Sequence, residues 1–189
     1  MSQLTKKALL DSFVKLLNQT SLDKITVKDI AQDCGVNRNT FYYHFKDIYS
    51  MLDEIFQAET KRVTEETKEY GSWQESFLMS TKFALENKRA IYHIYNSLSR
   101  EQLEQYLYNV TDSVMISFVE SAAQGMDCNH NDVLMLANFY KHAMVGLVLD
   151  WLKNGMKEDP EYVINRLGVL LDGNVKIALA NGKKNPASK

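Results

Sequence analysis

The residues "VKDIAQDCGVNRNTFYYHFKD", Val27 to Asp47, specify the architecture of the N-terminal part of this chain. Thr26 can cap a first helix, with an acidic residue at its third position, and Gly35 is the residue type favoured just past a helix end. Asn37 can cap a second, short helix over about residues 38–45. Two helices joined by a short turn that contains glycine predict a helix-turn-helix.

The two faces of the second helix differ in chemistry. Phe41 and Phe45 lie four residues apart on one face, and with Ile30, Ala31 and Val36 they can form the small core that sets the angle between the helices. The other face carries six side chains with hydrogen-bond donors: Arg38, Asn39, Thr40, Tyr42, Tyr43 and His44. The alternative to a contact surface is a solvated helix end.

A role in reading base edges in the major groove of DNA would explain this polar face. In that geometry the first residues of the second helix meet base edges, where Arg suits guanine and Asn suits adenine. Tyrosine hydroxyls and a histidine can reach phosphate oxygens, and helix N-termini add backbone N–H donors for anions. The predicted DNA-binding residues are Thr26, Lys28, Arg38, Asn39, Thr40, Tyr42, Tyr43, His44 and Lys46.

The longer string "TVKDIAQDCGVNRNTFYYHFKDIYSML" resembles the DNA-binding domain of the tetracycline-repressor (TetR) family over about residues 5–52. The shared pattern is a capped helix with "IA", then "GV", a polar triplet, an aromatic or aliphatic residue, Tyr, any residue, His, Phe and Lys. The resemblance implies a homodimer with one recognition helix in each of two successive major grooves of a near-palindromic operator. It also implies a C-terminal domain that dimerises and receives a signal.

Two details qualify the resemblance. Family members commonly have Lys where this chain has Ile48, so the resemblance does not imply the phosphate contact made by that Lys, and Lys46 can supply the charge. The wording "YYHFKDIYxxL", followed by "YGSW", looks more like the subgroup that includes regulators of dihydroxyacetone-kinase operons. At least one member of that subgroup is an activator controlled by a protein partner.

Most of the remaining chain is predicted to be helical, because apolar residues recur at spacings of three and four and there are only two prolines. The expected further helices span about 3–18, 48–70, 73–87, 89–98, 100–124, 131–154 and 160–181. The predicted fold is all-α, with an N-terminal three-helix helix-turn-helix DNA-binding domain and a C-terminal helical regulatory and dimerisation domain. The predicted borders are 1–50 for the first, 51–182 for the second and 183–189 for a disordered tail.

Composition narrows the function classes. The net charge of −2 predicts no strong overall attraction to nucleic acid or to an anionic membrane, although the first 50 residues are slightly basic. Cys34 and Cys128 form neither a disulfide framework nor a metal-ligand spacing, which favours the reducing cytoplasm. The amphipathic N-terminus is no secretory signal, and an apolar run of membrane-spanning length is not expected.

An enzyme is not expected. The sequence has no nucleophile–base arrangement, no glycine-rich phosphate loop and no set of metal ligands, so we predict no cofactor and no metal. A helical module that binds a protein partner and not DNA is a further alternative to a DNA-binding regulator.

The C-terminal aromatic residues have two interpretations. At helical spacing they are more often core than ligand pocket, but a pocket would draw on Trp73, Tyr92, Tyr95, Phe118 and His142. The last two long helical segments are apolar on more than one side, where a monomer needs only one buried stripe on each. Two such helices from each of two subunits can form a four-helix interface.

These observations lead to one functional expectation. The chain is a sequence-specific transcriptional regulator, by family default a repressor, whose binding to double-stranded DNA is switched by a small molecule or a protein at the C-terminal domain. Activation with a protein co-regulator is the alternative.

Overall fold

The computed structural model describes residues 2–70, 72–97 and 100–184, and within these ranges it contains helices and no strand. The α-helices are α1 (Ser2–Leu17), α2 (Val27–Asp33), α3 (Arg38–His44), α4 (Ile48–Tyr70), α5 (Trp73–Glu86), α6 (Lys88–Tyr95), α7 (Arg100–Ala123), α8 (His130–Lys153), α9 (Pro160–Leu171) and α10 (Asn174–Lys184). A short 3-10 helix, Leu22–Lys24, joins α1 to α2. The all-α prediction is confirmed.

The chain forms two compact units. The first consists of Met1–Lys61 and Phe83–Tyr106, and the second of Arg62–Lys82 and Leu107–Lys189. Packing therefore groups α6 with the N-terminal helices. The border predicted near residue 50 marks the end of the helix-turn-helix and stays a prediction about function.

In the first unit, α1 supplies the centre of the core. Leu9, Phe13 and Leu17 are buried, as their spacing predicts. The apolar spacing of α1 also predicts that Ala8 faces inward, but Ala8 is exposed, because the buried stripe passes through Ser12. A polar side chain at this depth needs a hydrogen-bond partner, which α2 provides.

Two contacts join α6 and α7 to the N-terminal helices of this unit. The ring nitrogen Nδ1 of His93 lies 2.6 Å from the carbonyl oxygen of Leu17, at the end of α1. The rings of Phe56 and Tyr106 stack with centroids 4.6 Å apart, which ties α4 to α7. Residues distant in sequence thus contact the N-terminal helices at two places.

The second unit has an aromatic centre. The ring of Phe118 lies 5.9 Å from that of Trp73 and 6.0 Å from that of Tyr140, so α5, α7 and α8 meet there. Trp73 and Tyr140 are buried, whereas Phe139 is largely exposed. The expectation that the C-terminal aromatics are mostly core therefore holds for Trp73 and Tyr140 and not for Phe139.

The last predicted helix, 160–181, is two helices in the structure. The helical backbone stops at Asp172, and Gly173 adopts a φ of +71° before α10 begins. Only glycine adopts this left-handed conformation without steric cost, so the break is local to this residue. Lys183 and Lys184, which the sequence places in a tail, lie in α10, and residues 185–189 lie outside the described residues.

The surface of α8, α9 and α10 is unusually apolar. Six large apolar side chains are each more than half exposed: Met135, Phe139, Tyr162, Val169, Leu170 and Ile177. Of the described helices, α8 alone has the length and composition of a membrane-spanning segment, with a mean hydropathy of 1.2 over its most apolar window, and only 28% of that window is buried. The helix also carries Lys141, whose ammonium lies 2.8 Å from the carboxylate of Asp112 on α7.

Candidate nucleic-acid interface

Two phenylalanines anchor α3 to the rest of the N-terminal bundle. Phe41 is wholly buried and Phe45 nearly so, with ring centroids 5.8 Å apart. They share the core with Ile30 and Ala31 of α2, both buried, while Val36 in the turn is half-buried. Because these residues pack inward, the opposite face of α3 points away from this core.

A capping box fixes the start of α2. The backbone N–H of Asp29 donates to the hydroxyl of Thr26 at 3.3 Å, and the backbone N–H of Thr26 donates to the carboxylate of Asp29 at 2.9 Å. The hydrogen bonds from the Thr26 side chain and backbone lower the pKa of Asp29 below its usual value. The carboxylate therefore stays ionised at the positive end of the helix, where negative charge is favoured.

The turn between α2 and α3 is set by glycine and asparagine. Gly35 has a φ of +67°, as its predicted place past the end of α2 requires. The side chain of Asn37 accepts a hydrogen bond of 2.9 Å from the backbone N–H of Thr40 and caps α3 as predicted. The hydroxyl of Thr40 also lies 3.2 Å from the Asn37 oxygen, so this hydroxyl is partly engaged inside the turn.

The predicted contact face is exposed over most of its length. Arg38, Asn39, Tyr42 and Tyr43 are exposed, and Tyr43 reaches 77%. His44 is half-buried, with its ring edge-on to the Tyr43 ring at 5.0 Å between centroids. The four exposed side chains are positioned on one short rigid helix, as a base-reading surface needs.

Basic side chains flank this face. Lys28 and Lys46 are exposed, and neither forms an ion pair within the described residues. Asp47 caps α4 by accepting a 2.7 Å hydrogen bond from the backbone N–H of Ser50. Ile48 is half-buried at the first turn of α4, so it adds no charge to the flank.

A polar brace that the sequence does not reveal holds α2 against α1. The carboxylate of Asp33 accepts hydrogen bonds from the Lys15 ammonium at 2.6 Å and from the Ser12 hydroxyl at 2.8 Å. Both hydrogen bonds lower the pKa of Asp33, and the one from Lys15 has the larger effect. The residues are 18 and 21 positions apart, a separation that no local pattern encodes.

Of the five candidate ligand residues, Trp73 and Phe118 are the pair that the second unit brings into ring contact. Tyr92 and Tyr95 belong to α6 in the first unit. His142 is exposed on α8, where its Nδ1 bonds the carbonyl oxygen of Asn138 at 2.8 Å. Burial raises the pKa of Tyr92, with the neighbouring Tyr95 adding to the shift.

Two family models match the chain. The one described as "Bacterial regulatory proteins, tetR family" covers residues 9–55, which contain the helix-turn-helix. The one described as "Transcriptional regulator C-terminal region", of the TetR type, covers residues 71–173, more than half of the chain. The chain belongs to the TetR family. The resemblance found in the helix-turn-helix string is thereby confirmed and extended to the C-terminal helices.

Individual TetR-family relatives give the range of similarity. The dhaKLM operon transcriptional activator DhaS of Lactococcus lactis subsp. lactis (strain IL1403) is 28% identical over 87 residues, 46% of each chain. The class D tetracycline repressor of Escherichia coli is 33% identical over 55 residues, 29% of this chain and 25% of the repressor. This chain thus matches about half or less of the length of these curated relatives.

Solved structures share the fold of this TetR-family chain. A dihydroxyacetone kinase operon activator DhaS matches with a TM-score of 0.77 at 19% identity, over 92% of this chain and 97% of the other. The fatty acid degradation regulator FadR from Bacillus halodurans matches with a TM-score of 0.62 at 16% identity, over 88% and 97%. Because the sequence identities are below 20%, the similarity to these two structures shows a shared fold and nothing more.

Proposed function

We propose that this TetR-family regulator binds a near-palindromic operator as a homodimer, with α3 of each subunit in the major groove. The observation that carries the proposal is the exposed row of Arg38, Asn39, Tyr42 and Tyr43 on a helix whose other face is anchored by buried phenylalanines. Arg and Asn can each form two hydrogen bonds with one base, and the tyrosines suit phosphate oxygens and thymine methyl groups. Lys28 and Lys46 contribute positive charge that attracts the DNA phosphates whatever the base sequence.

The apolar surface of α8, α9 and α10 supports the dimer. Exposed apolar patches of this extent are uncommon on a monomer and mark an interaction site. A second copy offers the same patch, and two-fold pairing would bury both at once. It would also cover the face of α8 that otherwise has the composition of a membrane helix.

The sign of regulation follows from where the operator lies. A dimer on a promoter blocks polymerase, and a ligand or partner at the C-terminal helices releases it by favouring a conformation whose recognition helices no longer match the half-sites. Similarity to DhaS, an activator of the dhaKLM operon, favours activation with a protein co-regulator as the second candidate.

Binding measured against a selected DNA fragment tests the proposal. The purified full chain should bind the fragment with a steep salt dependence, and unrelated DNA of equal length should bind far more weakly. Equal affinity for both fragments would remove the operator and leave non-specific binding. No binding to either would favour the protein-binding module.

A further inference from the structure

A cavity of about 490 Å³ lies in the second unit, where the start of α5, the end of α7 and the junction of α9 with α10 meet. Small-molecule sites commonly enclose about 300–1,000 Å³. The volume is therefore suited to a compound of one or two rings. The site lies wholly within one unit, so its shape follows from contacts inside that unit.

Part of the cavity wall is aromatic and aliphatic. Trp73 and Phe118, whose rings are inclined at 57°, line the cavity together with Leu171 and Val175. Trp73 and Val175 are buried, so this wall is preformed. Such a surface favours a flat apolar ring, which gains area and aromatic contacts without ordering new side chains.

The mouth of the cavity offers hydrogen-bond donors without internal partners. The hydroxyl of Ser72 donates to the Gln74 carbonyl oxygen at 3.1 Å, and Gln74, whose amide nitrogen lies beside Gly168, lines the cavity. The amide N–H groups of Gln74 have no acceptor among the described residues. Lys176 lines the same mouth, is exposed, and forms no ion pair within the described part of the chain. An ammonium and an amide donor together are suited to a carboxylate.

Two wall residues modulate this preference. Asp172 is the one acidic side chain of the described lining, and it lies exposed at the rim, four residues before Lys176. Its charge opposes an anionic ligand, so its removal should strengthen binding. Gly168 leaves room for Gln74, because a Cβ at this position would lie 2.6 Å from the amide nitrogen of Gln74.

We propose that this cavity binds a small aromatic carboxylic acid, with its ring against Trp73 and Phe118 and its carboxylate on Lys176 and Gln74. The proposal rests on the ligand-switched DNA binding argued above and names the chemical class of the ligand. Leu170 and Ile177, next to the α9–α10 junction, belong to the exposed apolar surface assigned to the dimer. A ligand at the junction can therefore alter the pairing of subunits and, through it, operator affinity.

Calorimetric titration of the full chain tests the ligand class with three probes of one shape. 2-Naphthoate should bind about tenfold more tightly than the neutral 2-naphthamide, because a charged hydrogen bond is gained. The cationic 2-(aminomethyl)naphthalene should bind most weakly. Equal affinities for the three probes, or no heat with 2-naphthoate, would overturn the assignment.

Variants locate the site. Lys176→Met should abolish the preference for the acid, and Asp172→Asn should tighten its binding. Substitutions at two exposed positions four residues apart are thus expected to change the affinity for 2-naphthoate in opposite directions. Ser121→Trp should fill the cavity and prevent binding, while Leu85→Trp, at an exposed position of α5 outside the cavity lining, serves as the matched control. Unchanged binding in both Lys176→Met and Ser121→Trp would place the ligand elsewhere.

A parallel measurement separates this proposal from the DNA-binding proposal. Operator affinity is measured by fluorescence anisotropy with and without saturating 2-naphthoate. A change that is lost in Lys176→Met supports the sensor role. If 2-naphthoate binds without any change in operator affinity, the sensor role is overturned. If no operator is found, the DNA-binding proposal is overturned, and the calorimetric titration still tests whether the cavity binds the acid.

Discussion

At the scale of single residues, the proposed DNA interface assigns base contacts to some side chains and phosphate contacts to others. Arg38 and Asn39 are exposed in the first turn of α3, where a recognition helix meets base edges. Lys46 is exposed just beyond α3 and suits the backbone. These positions were predictable because caps, turn glycine and face periodicity are all local signals.

Replacing Asn39 or Arg38 by Ala should therefore weaken operator binding by about 1–3 kcal/mol and relax the base preference at one position in each half-site. Anisotropy titrations against the operator and single-base variants would measure both effects. Lys46→Ala is the matched control, and it should weaken all sequences alike and flatten the salt dependence. A base-selective effect of Lys46→Ala would contradict this assignment of contacts.

The Asp33 brace leads to a prediction of pH dependence. The pKa of Asp33 is lowered in the folded state, so its contribution to stability is fully present above its unfolded value near 3.8 and is lost as the pH falls through the lower folded value. Asp33→Asn should lower the melting temperature at about pH 7, and this deficit should shrink towards about pH 3. A deficit of equal size at both pH values would show that charge on Asp33 does not matter.

At the scale of elements, α6 is held to the end of α1 within the first unit. A carbonyl oxygen only accepts, so His93 Nδ1 carries the hydrogen in its 2.6 Å bond to Leu17. The Asn18 side chain makes a longer, 3.4 Å contact with the backbone N–H of Ala90. The contact offers a route by which a change in α6 can reach the helix-turn-helix.

Loss of this bond should loosen the end of α1. His93→Ala should reduce stability by about 0.5–1.5 kcal/mol, with faster amide exchange at the C-terminal turn of α1. His93→Asn keeps a side-chain donor and should restore part of the protection. If the amides of α1 exchanged no faster in His93→Ala than in the parent chain, the contact with α6 would not stabilise that helix.

Element boundaries show where sequence patterns stop being informative. The starts of α2, α3 and α4 are predicted correctly because each has its own capping residue. The break between α9 and α10 is missed because Gly173 stands inside a continuous apolar pattern, and a glycine there is compatible with a helix until the backbone is known. The cavity is missed for another reason: its lining comes from four helices, and no spacing links Gln74 to Lys176.

At the scale of the whole molecule, the exposed apolar surface of α8, α9 and α10 predicts an obligate assembly. Phe139→Glu and Val169→Glu, at positions exposed by more than half, should convert the dimer into monomer in sedimentation velocity runs. Leu85→Glu, an exposed leucine on α5, is the control and should leave the dimer intact. A parent chain that sediments as a monomer at micromolar concentration would remove the interface.

The reading of DNA by α3 is tested by selecting bound fragments from random DNA at two salt concentrations. The parent chain and an Arg38→Ala, Asn39→Ala double variant are compared side by side. The parent should recover a near-palindromic site whose half-sites lie about one helical turn or a small multiple apart, and the variant should not. Enrichment by both proteins alike, or by neither above background, would contradict the reading of DNA by α3.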